Sequence, residues 1–152
     1  MNQTAFFSML GAPLANSRWS WGAIRPEDGA VFLRVWEDRI RAHDDAQFAQ
    51  VTFNARFRGR PVSLGHRERL EQVDRVRDGA QCYLIMCRAV DTAARPRRIA
   101  WFNADEVFPG GRVVELDGEW WVEILPGVAV RSVIVRPQGM SRTLPRMDLS
   151  GP

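Results

Sequence analysis

Two tryptophans and an arginine lie close together near the start of the chain, in the run NSRWSWG at positions 16–22. Aromatic faces can sandwich a planar ligand, short polar side chains can bind its edge, and a glycine lets the backbone come close. We predict that Trp19 and Trp21 stack on a ligand while Asn16 and Ser20 offer hydrogen bonds to its edge. The alternative is that one tryptophan plugs an end of a barrel. The predicted ligand-binding residues of this run are Asn16, Arg18, Trp19, Ser20 and Trp21.

A second group of candidates alternates along the apolar stretch at positions 30–38. Successive side chains of a strand point to opposite faces, so the aliphatic residues at positions 31, 33 and 35 form a natural core face. Phe32, Arg34 and Trp36 share the other face. We predict either that Arg34 and Trp36 line a concave pocket, or that this face packs under a helix while the Arg34 guanidinium reaches solvent.

All 21 basic residues of the chain are arginines. Without lysine there is no P-loop, no Schiff base and no Ser-Lys dyad. Positions 54–98 carry 11 arginines against 5 acidic residues, whereas positions 99–128 carry 1 against 6. This asymmetry predicts a dipolar surface that could orient a polyanion, with a mixed, solvated surface as the alternative.

Two short arginine clusters lie inside this basic part of the chain. Guanidinium forks match the geometry of phosphate oxygens, and Gly59 and Pro61 indicate a loop at the first cluster. Short basic runs are also common solvated features. The predicted phosphate-binding residues are Arg56, Arg58, Arg60, Arg95, Arg97 and Arg98.

Candidate catalytic groups are few. His66 and Glu68, followed by Cys82 and Cys87, are only faintly similar to the zinc-deaminase signature, because the two cysteines are too far apart. The run HDD at positions 43–45 could hold a metal, but no further clustered ligand supports it. We therefore predict no catalytic residue, no metal and no cofactor, and no catalytic activity of the isolated chain on nucleic acid.

The apolar patterns predict the elements that must position these candidates. A stripe formed by Leu70, Val73 and Val76, followed by Gly79, predicts a helix at 65–77. A further helix is predicted at 39–50. Alternating and continuous apolar runs predict strands at 4–10, 30–38, 51–57, 80–90 and 128–135.

The turn at Asp117-Gly118 is the clearest local signal in the sequence. Asp-Gly between two strand-like runs favours a type I′ hairpin, which would pair Val114 with Trp121 and Glu115 with Trp120. One tryptophan should then be in the core, and the other at the surface or in a second layer. In the strand at 80–90 the odd spacing of Cys82 and Cys87 places them on opposite faces, as buried free thiols.

These elements predict one α+β, mainly β domain at positions 1–136, a curled sheet or open barrel with one or two helices. The remaining positions, 137–152, read as an irregular tail. The N-terminus lacks the basic region of a signal peptide, and no apolar run is long enough to span a bilayer. We therefore expect a cytoplasmic protein without membrane contact.

Two stretches of the sequence carry a resemblance to a known family. The first is RWSWG at positions 18–22 after the first strand, and the second is VDRVRDGA at 73–80, which runs into CYLIM at 82–86. Together they resemble the PUA-like superfamily with its EVE, ASCH and SRA-type members, although Asp78-Gly79 reverses the order typical of that turn. The resemblance implies a curled sheet that binds RNA or DNA, with Trp19, Trp21 and Trp36 placed for base stacking. It implies no catalytic residue.

The sequence therefore predicts a nucleic-acid binding module that reads a modified or flipped base of DNA or RNA, with an effector protein as a further partner. Arginines would contact the phosphates. Two alternatives remain open: a protein-interaction module of a larger complex, in which exposed aromatics and the acidic hairpin form the partner surface, and a small RNA-processing enzyme.

Overall fold

The structure, a computed structural model, describes residues 1–135. Position 136 and the predicted tail at 137–152 lie outside the described residues. In chain order the elements are α1 (Gln3–Met9), β1 (Gly22–Ile24), β2 (Val31–Trp36), β3 (Ile40–His43), β4 (Ala46–Gln50), a 3₁₀ turn (Asn54–Phe57), α2 (Leu64–Arg77), β5 (Cys82–Ala89), β6 (Ile99–Phe102), β7 (Glu106–Leu116), β8 (Glu119–Ile124), β9 (Val128–Ala129) and a second 3₁₀ turn (Val130–Val133).

The strands form one mixed, unclosed sheet of nine strands within the described residues. The order is β1-β2-β5-β7-β8-β4-β3, with β6 added to β5 and β9 added to β7. The β2–β5 pair is parallel and the other pairs are antiparallel. The prediction of an α+β, mainly β fold with a curled sheet and one or two helices is confirmed.

The parallel pair β2–β5 is buried on both faces. The predicted core face of β2, formed by Val31, Leu33 and Val35, packs with α2 residues in one hydrophobic core. Phe32, on the opposite face, is also fully buried and belongs to a second core that contains α1. The expected aromatic-Arg-aromatic stripe is therefore divided: Phe32 packs in this core, whereas Arg34 and Trp36 are half-buried.

The same division separates the two cysteines of β5. Cys82 packs in the core under α2 and Cys87 packs in the core under α1, so the prediction of opposite faces is confirmed. Both are buried free thiols. Burial raises the pKa of Cys82 to about 12 and that of Cys87 to about 11, which leaves them protonated and unreactive at neutral pH.

Strand β7 joins the two parts of the sheet. Its first half pairs with β5 and its second half with β8, and the register shifts between Gly110 and Val113. A Cβ on Gly110 would lie 2.8 Å from Val122 Cγ1 and 3.1 Å from Cys82 Cβ. The missing side chain lets the strand pass close to its neighbours where it changes partner.

Two local predictions match the structure closely. Helix α2 begins after Ser63, whose hydroxyl oxygen accepts a hydrogen bond from the His66 amide, and it covers the predicted range. The hairpin has the predicted register, and Asp117 and Gly118 have φ of 53° and 81°, as a type I′ turn requires. Trp120 packs against the core that contains α2 residues, and the Arg77 guanidinium lies over its ring. Trp121 is buried on the other face of the sheet.

Four predicted elements differ from the structure. The stretch at 4–10 is helix α1, because Phe6, Phe7 and Leu10 share a helical face that is fully buried, and Asn2 caps its start. The stretch at 39–50 is the β3–β4 hairpin, because β4 pairs with β8 across a large sequence separation that the local pattern does not reveal. Its tight turn is formed by Asp44 and Asp45, which both have positive φ.

The other two differences are at the ends of strands. The stretch at 51–57 continues from β4 as an irregular segment and a 3₁₀ turn, because the amides of Phe53, Asn54 and Ala55 bind side chains of other elements instead of a neighbouring strand. The stretch at 128–135 is a strand only at Val128–Ala129, where it pairs with β7, and then becomes a 3₁₀ turn. Within residues 1–135, no helix is long and apolar enough to cross a membrane.

Candidate ligand-binding cavity

A cavity of about 670 Å³ lies between the loop before β1, the end of β2, the N-terminus of α2 and the segment before β6. Its volume is within the range typical of small-molecule sites. Five aromatic side chains line it: Trp19, Trp21, Trp36, Phe53 and Phe57. Six arginines line it as well, and no described lining residue is acidic: Arg18, Arg34, Arg56, Arg69, Arg97 and Arg98. The cavity therefore suits a planar ligand that carries negative charge.

Eight of the predicted site residues line this one cavity, although the sequence places them in four separate segments: Arg18, Trp19, Trp21, Arg34, Trp36, Arg56, Arg97 and Arg98. A second cavity of about 540 Å³ shares Arg56 and Phe57 with the first. Arg58, Arg60 and Arg95 line this second cavity. The two arginine clusters are thus brought together beside the aromatic walls.

Asn16 and Ser20 do not line the cavity, and the prediction that they hydrogen-bond a ligand's edge is corrected. The Asn16 Oδ1 accepts hydrogen bonds from the amides of Arg18 (2.8 Å) and Trp19 (3.3 Å). The Ser20 hydroxyl accepts from the Asn16 amide (3.0 Å) and donates to Glu68 Oε2 (3.2 Å). Both side chains are occupied in shaping the loop that carries the two tryptophans, and the Ser20 contact ties that loop to α2.

The first turn of α2 packs directly on this loop. A Cβ on Gly65 would lie 2.4 Å from Trp21 Nε1 and 2.5 Å from the carbonyl oxygen of Trp19. Glycine at this helical position is therefore required by close approach. The Trp21 ring also makes edge contact with Phe53, at 6.2 Å between ring centroids. These contacts hold the Trp21 ring and the Trp19 backbone against α2.

Arg69, on α2, is 1% exposed and forms part of the cavity floor. Its Nη1 donates to the Val51 carbonyl oxygen (3.1 Å), and its Nη2 donates to the carbonyl oxygens of Trp21 (2.9 Å) and Arg34 (2.8 Å). Burial and the neighbouring Arg34 charge lower the pKa of Arg69 to about 9. The guanidinium is still charged at neutral pH.

Arg34 lies beside it on β2. Its Nε donates to the Trp21 carbonyl oxygen (3.2 Å) and its Nη1 to Gln3 Oε1 (2.6 Å). Burial lowers the pKa of this guanidinium below its usual value. Both arginines are therefore held by neutral oxygens, and neither forms an ion pair with a described residue.

Two predicted residues have partners that limit what they can bind. Arg97 donates to both carboxylate oxygens of Asp38 at 2.7 Å, and its guanidinium lies 5.1 Å from the centre of the Trp36 ring. The charge of Arg97 is thus neutralised, and one side of Trp36 is covered. The Arg69 guanidinium likewise lies 5.7 Å from the centre of the Trp21 ring, so Trp19 is the best placed of the three tryptophans to stack on a ligand.

The opposite wall is anchored by two buried side chains. His66 Nε2 accepts a hydrogen bond from the Phe53 amide (2.9 Å), and its ring stacks on Phe57 at 4.8 Å. Burial and the charge of Arg69 lower the pKa of His66, so the imidazole is neutral. Glu119 accepts from the amides of residues 54 and 55, which fixes the 3₁₀ turn that carries Arg56.

The metal hypotheses find no support in the geometry. Residues 1–135 contain no group of three or more histidine, cysteine, aspartate or glutamate side chains that could hold a metal ion. Cys82 and Cys87 lie in different cores, and His66 packs against aromatic rings. His43 lies against the Phe48 ring.

The sequence reasoning missed Arg69, Phe53 and Gly65. The sequence does contain a signal for Arg69, because positions 66, 69, 73 and 76 are three or four residues apart and therefore lie on one face of a helix. In α2 this face is buried. An arginine on that face has to be held by polar partners from other elements. Gly65 gives no comparable signal, since its role depends on a loop far away in sequence.

Comparisons of the chain with protein-family models, with curated proteins and with solved structures found no match in any of the three. The conclusions about function therefore rest on the cavity and its residues.

Proposed function

We propose that this protein is a nucleic-acid binding module that holds a base of DNA or RNA in the cavity while arginines contact the neighbouring phosphates. The observation that carries the proposal is the lining of the cavity, which combines aromatic walls and six arginines with no described acidic residue. Aromatic faces bind bases of any sequence, and guanidinium groups bind phosphate. A neutral apolar ligand would leave the cavity arginines other than Arg97 without a counter-charge.

The second cavity extends this surface in the way a strand of nucleic acid requires. Arg58, Arg60 and Arg95 line it, and all three are exposed. Because it shares Arg56 and Phe57 with the first cavity, a strand whose base enters the first would pass its phosphates over the second. We propose the second cavity as the path of the sugar-phosphate backbone.

The PUA-like resemblance is kept as part of this proposal. A mainly β curled sheet with two helices is compatible with it, and the tryptophans that carry the resemblance lie at the cavity. A modified base is the proposed preference, because rigid aromatic walls discriminate by shape. The proposal places the protein in the cytoplasm, with an effector protein as a further partner.

The protein-interaction alternative loses its main support. It relied on exposed aromatics together with the acidic hairpin, but in that hairpin Trp121 is buried and Trp120 packs on a core. Trp101 is the most exposed aromatic side chain in the described part of the chain, and it lies on β6 under the Arg88 guanidinium. An isolated exposed side chain does not define a docking surface.

The proposal is tested by fluorescence anisotropy with short labelled DNA and RNA, single- and double-stranded, with and without modified bases. Stacking of one base contributes about 1–3 kcal/mol, so Trp19→Ala should weaken binding by about tenfold or more. Trp101→Ala is the matched control, because that tryptophan is exposed and does not line the cavity. Equal affinity of wild type and Trp19→Ala for every probe would contradict the placement of the base.

The arginines of the second cavity should behave differently from the tryptophans. Arg58→Gln and Arg60→Gln should weaken binding to all sequences alike, and each should reduce the slope of log affinity against log salt by about 1. Arg75→Gln, an exposed arginine of α2 that lines neither cavity, is the control. If wild type binds no oligonucleotide at low salt, the proposed function is wrong.

A further inference from the structure

The floor of the first cavity holds two positive charges that no described carboxylate neutralises. Arg69 is 1% exposed, and its Nε is buried without a hydrogen-bond partner. The Nη2 of Arg34 also has no partner among residues 1–135. The remaining donors bind backbone carbonyls and one glutamine side chain, which are neutral. The floor is thus hydrogen-bonded but carries uncompensated charge.

Two other arginines with buried side chains, Arg25 and Arg97, are each paired with a carboxylate. Arg25 is 2% exposed and binds both carboxylate oxygens of Asp28, at 3.0 and 2.9 Å. Arg97 binds both carboxylate oxygens of Asp38. Where this fold buries a guanidinium for structural reasons, it supplies a carboxylate. The absence of one near Arg69 indicates that the anion comes from elsewhere.

Glu68 is the acidic residue whose charge acts on both arginines and raises the pKa of each. It forms no ion pair with either, and one of its oxygens is bound to the Ser20 hydroxyl. Its other oxygen, Oε1, is buried without a partner. Burial raises the pKa of this carboxyl, and the Ser20 hydroxyl and the charge of Arg69 partly oppose that rise.

The N-terminus of α2 faces the same cavity. Ser63, Leu64 and Gly65 line it. The first amides of a helix have no acceptor inside the helix, and the helix dipole places partial positive charge there. This 14-residue helix therefore adds a favourable field for an anion to the two guanidinium groups.

We propose that the cavity floor, through Arg34 and Arg69, binds a phosphate monoester: the terminal phosphate of a nucleic-acid strand or the phosphate of a free mononucleotide. A monoester carries about −1.5 to −2 charge at pH 7, which matches two guanidinium groups. An internal phosphodiester carries a single charge and is flanked by a nucleoside on each side, so it fits the floor of a cavity poorly. This inference rests on the proposed function for the aromatic walls, which hold the attached base.

The experiment compares short single-stranded DNA and RNA with a 5′-phosphate, a 3′-phosphate or hydroxyl ends, together with nucleoside monophosphates and the corresponding nucleosides. Affinity is measured by anisotropy for the strands and by calorimetry for the small ligands. We expect one phosphorylated form to bind wild type at least about tenfold more tightly than its hydroxyl form. The preference should grow from pH 5 to pH 7, since the second phosphate pKa is about 6.

Arg34→Gln should abolish this preference, so that phosphorylated and hydroxyl-ended strands bind the variant with similar affinity. Arg75→Gln should keep the preference, because Arg75 is exposed and lines neither cavity. Arg69→Gln removes donors from three buried carbonyls and could fail to fold, so thermal unfolding of wild type with added nucleoside monophosphate provides a measurement that needs no variant.

The outcomes separate the inference from the proposed function. If phosphorylated and hydroxyl-ended strands bind equally while Trp19→Ala still weakens binding, the phosphate site is wrong and the base site stands. If only mononucleotides bind, with a phosphate preference that Arg34→Gln removes, the phosphate site is supported and strand binding is wrong. If no probe binds, both are wrong.

Discussion

Replacing Gly65 by alanine tests whether the cavity walls are held as the structure describes. Gly65 lies in the first turn of α2, and its absent side chain leaves room for Trp21 and for the Trp19 carbonyl. On helix propensity alone, alanine would stabilise the helix by up to about 1 kcal/mol. The packing of the tryptophan loop against Gly65 predicts instead that alanine lowers the stability of the protein.

The size of the effect follows from the distances. The added Cβ would lie 2.4 Å from Trp21 Nε1, 2.8 Å from Trp21 Cε2 and 2.5 Å from the Trp19 carbonyl oxygen. Contacts of this kind are comfortable at about 3.5 Å, so the loop or the helix end must move by about 1 Å. One contact is with backbone, so a change of rotamer cannot relieve it. Overpacking of this kind costs about 1–3 kcal/mol, which outweighs the gain in propensity.

We therefore expect Gly65→Ala to lower the free energy of unfolding by about 1–2 kcal/mol and the Tm by about 3–6 °C, measured by chemical and thermal denaturation. Affinity for the best oligonucleotide should fall at least about tenfold, because both tryptophans are displaced. Glu71→Ala, an exposed position on the same helix, should change stability by less than about 0.5 kcal/mol. A Gly65→Ala protein as stable as wild type with unchanged binding would refute the seating of Trp21 on the helix.

Three further predictions follow from buried groups. Glu119→Ala removes the acceptor of three hydrogen bonds and should lower the free energy of unfolding by about 2–4 kcal/mol in urea, whereas the exposed Glu115→Ala should leave it nearly unchanged. Burial raises the pKa of Glu68, so the stability that its protonated form provides is complete below pH 4.5 and is lost as the pH rises through the raised pKa. Glu68→Gln should therefore be more stable than wild type at pH 7. The denaturation midpoints of the two proteins should converge towards pH 4. Cys82 and Cys87 should resist an aromatic disulfide reagent in the native protein and react fully in denaturant, and rapid native labelling of either would contradict their burial.

The elements that the sequence predicts well are those whose signals are local. The Asp117-Gly118 turn sets its own backbone geometry, and the apolar run of β5 needs only to be buried on both faces. Helix α2 has a serine cap at one end and Gly79, with φ of 106°, just beyond the other. Each of these features is determined by a few adjacent residues.

The wrong elements are those that distant contacts determine. Positions 4–10 are mostly apolar and so resemble a buried strand, but Phe6 and Phe7 both reach one core because the chain is helical there. Positions 39–50 form a hairpin because β8 offers a neighbour to β4. Neither β8 nor the core under α1 is visible from these segments alone.

The candidate site shows the same division in its residues. Trp19 and Trp21 stand out in sequence because two tryptophans in one loop are unusual, and they line the cavity. Asn16 and Ser20 also have side chains that could hydrogen-bond a ligand, but they bind the loop's own amides and Glu68 instead. Residue type alone cannot distinguish a side chain that binds a ligand from one that holds the binding loop.

Arg69 explains why the centre of the site could not be derived locally. Its three carbonyl partners belong to the residue before β1, to β2 and to the residue after β4, and its own backbone belongs to α2. The planar guanidinium can bind all three because its donors point in several fixed directions, whereas a single ammonium could not match that arrangement. The positive floor of the cavity therefore forms only when these four segments have assembled, so folding the sheet against α2 and creating the proposed anion site are one event.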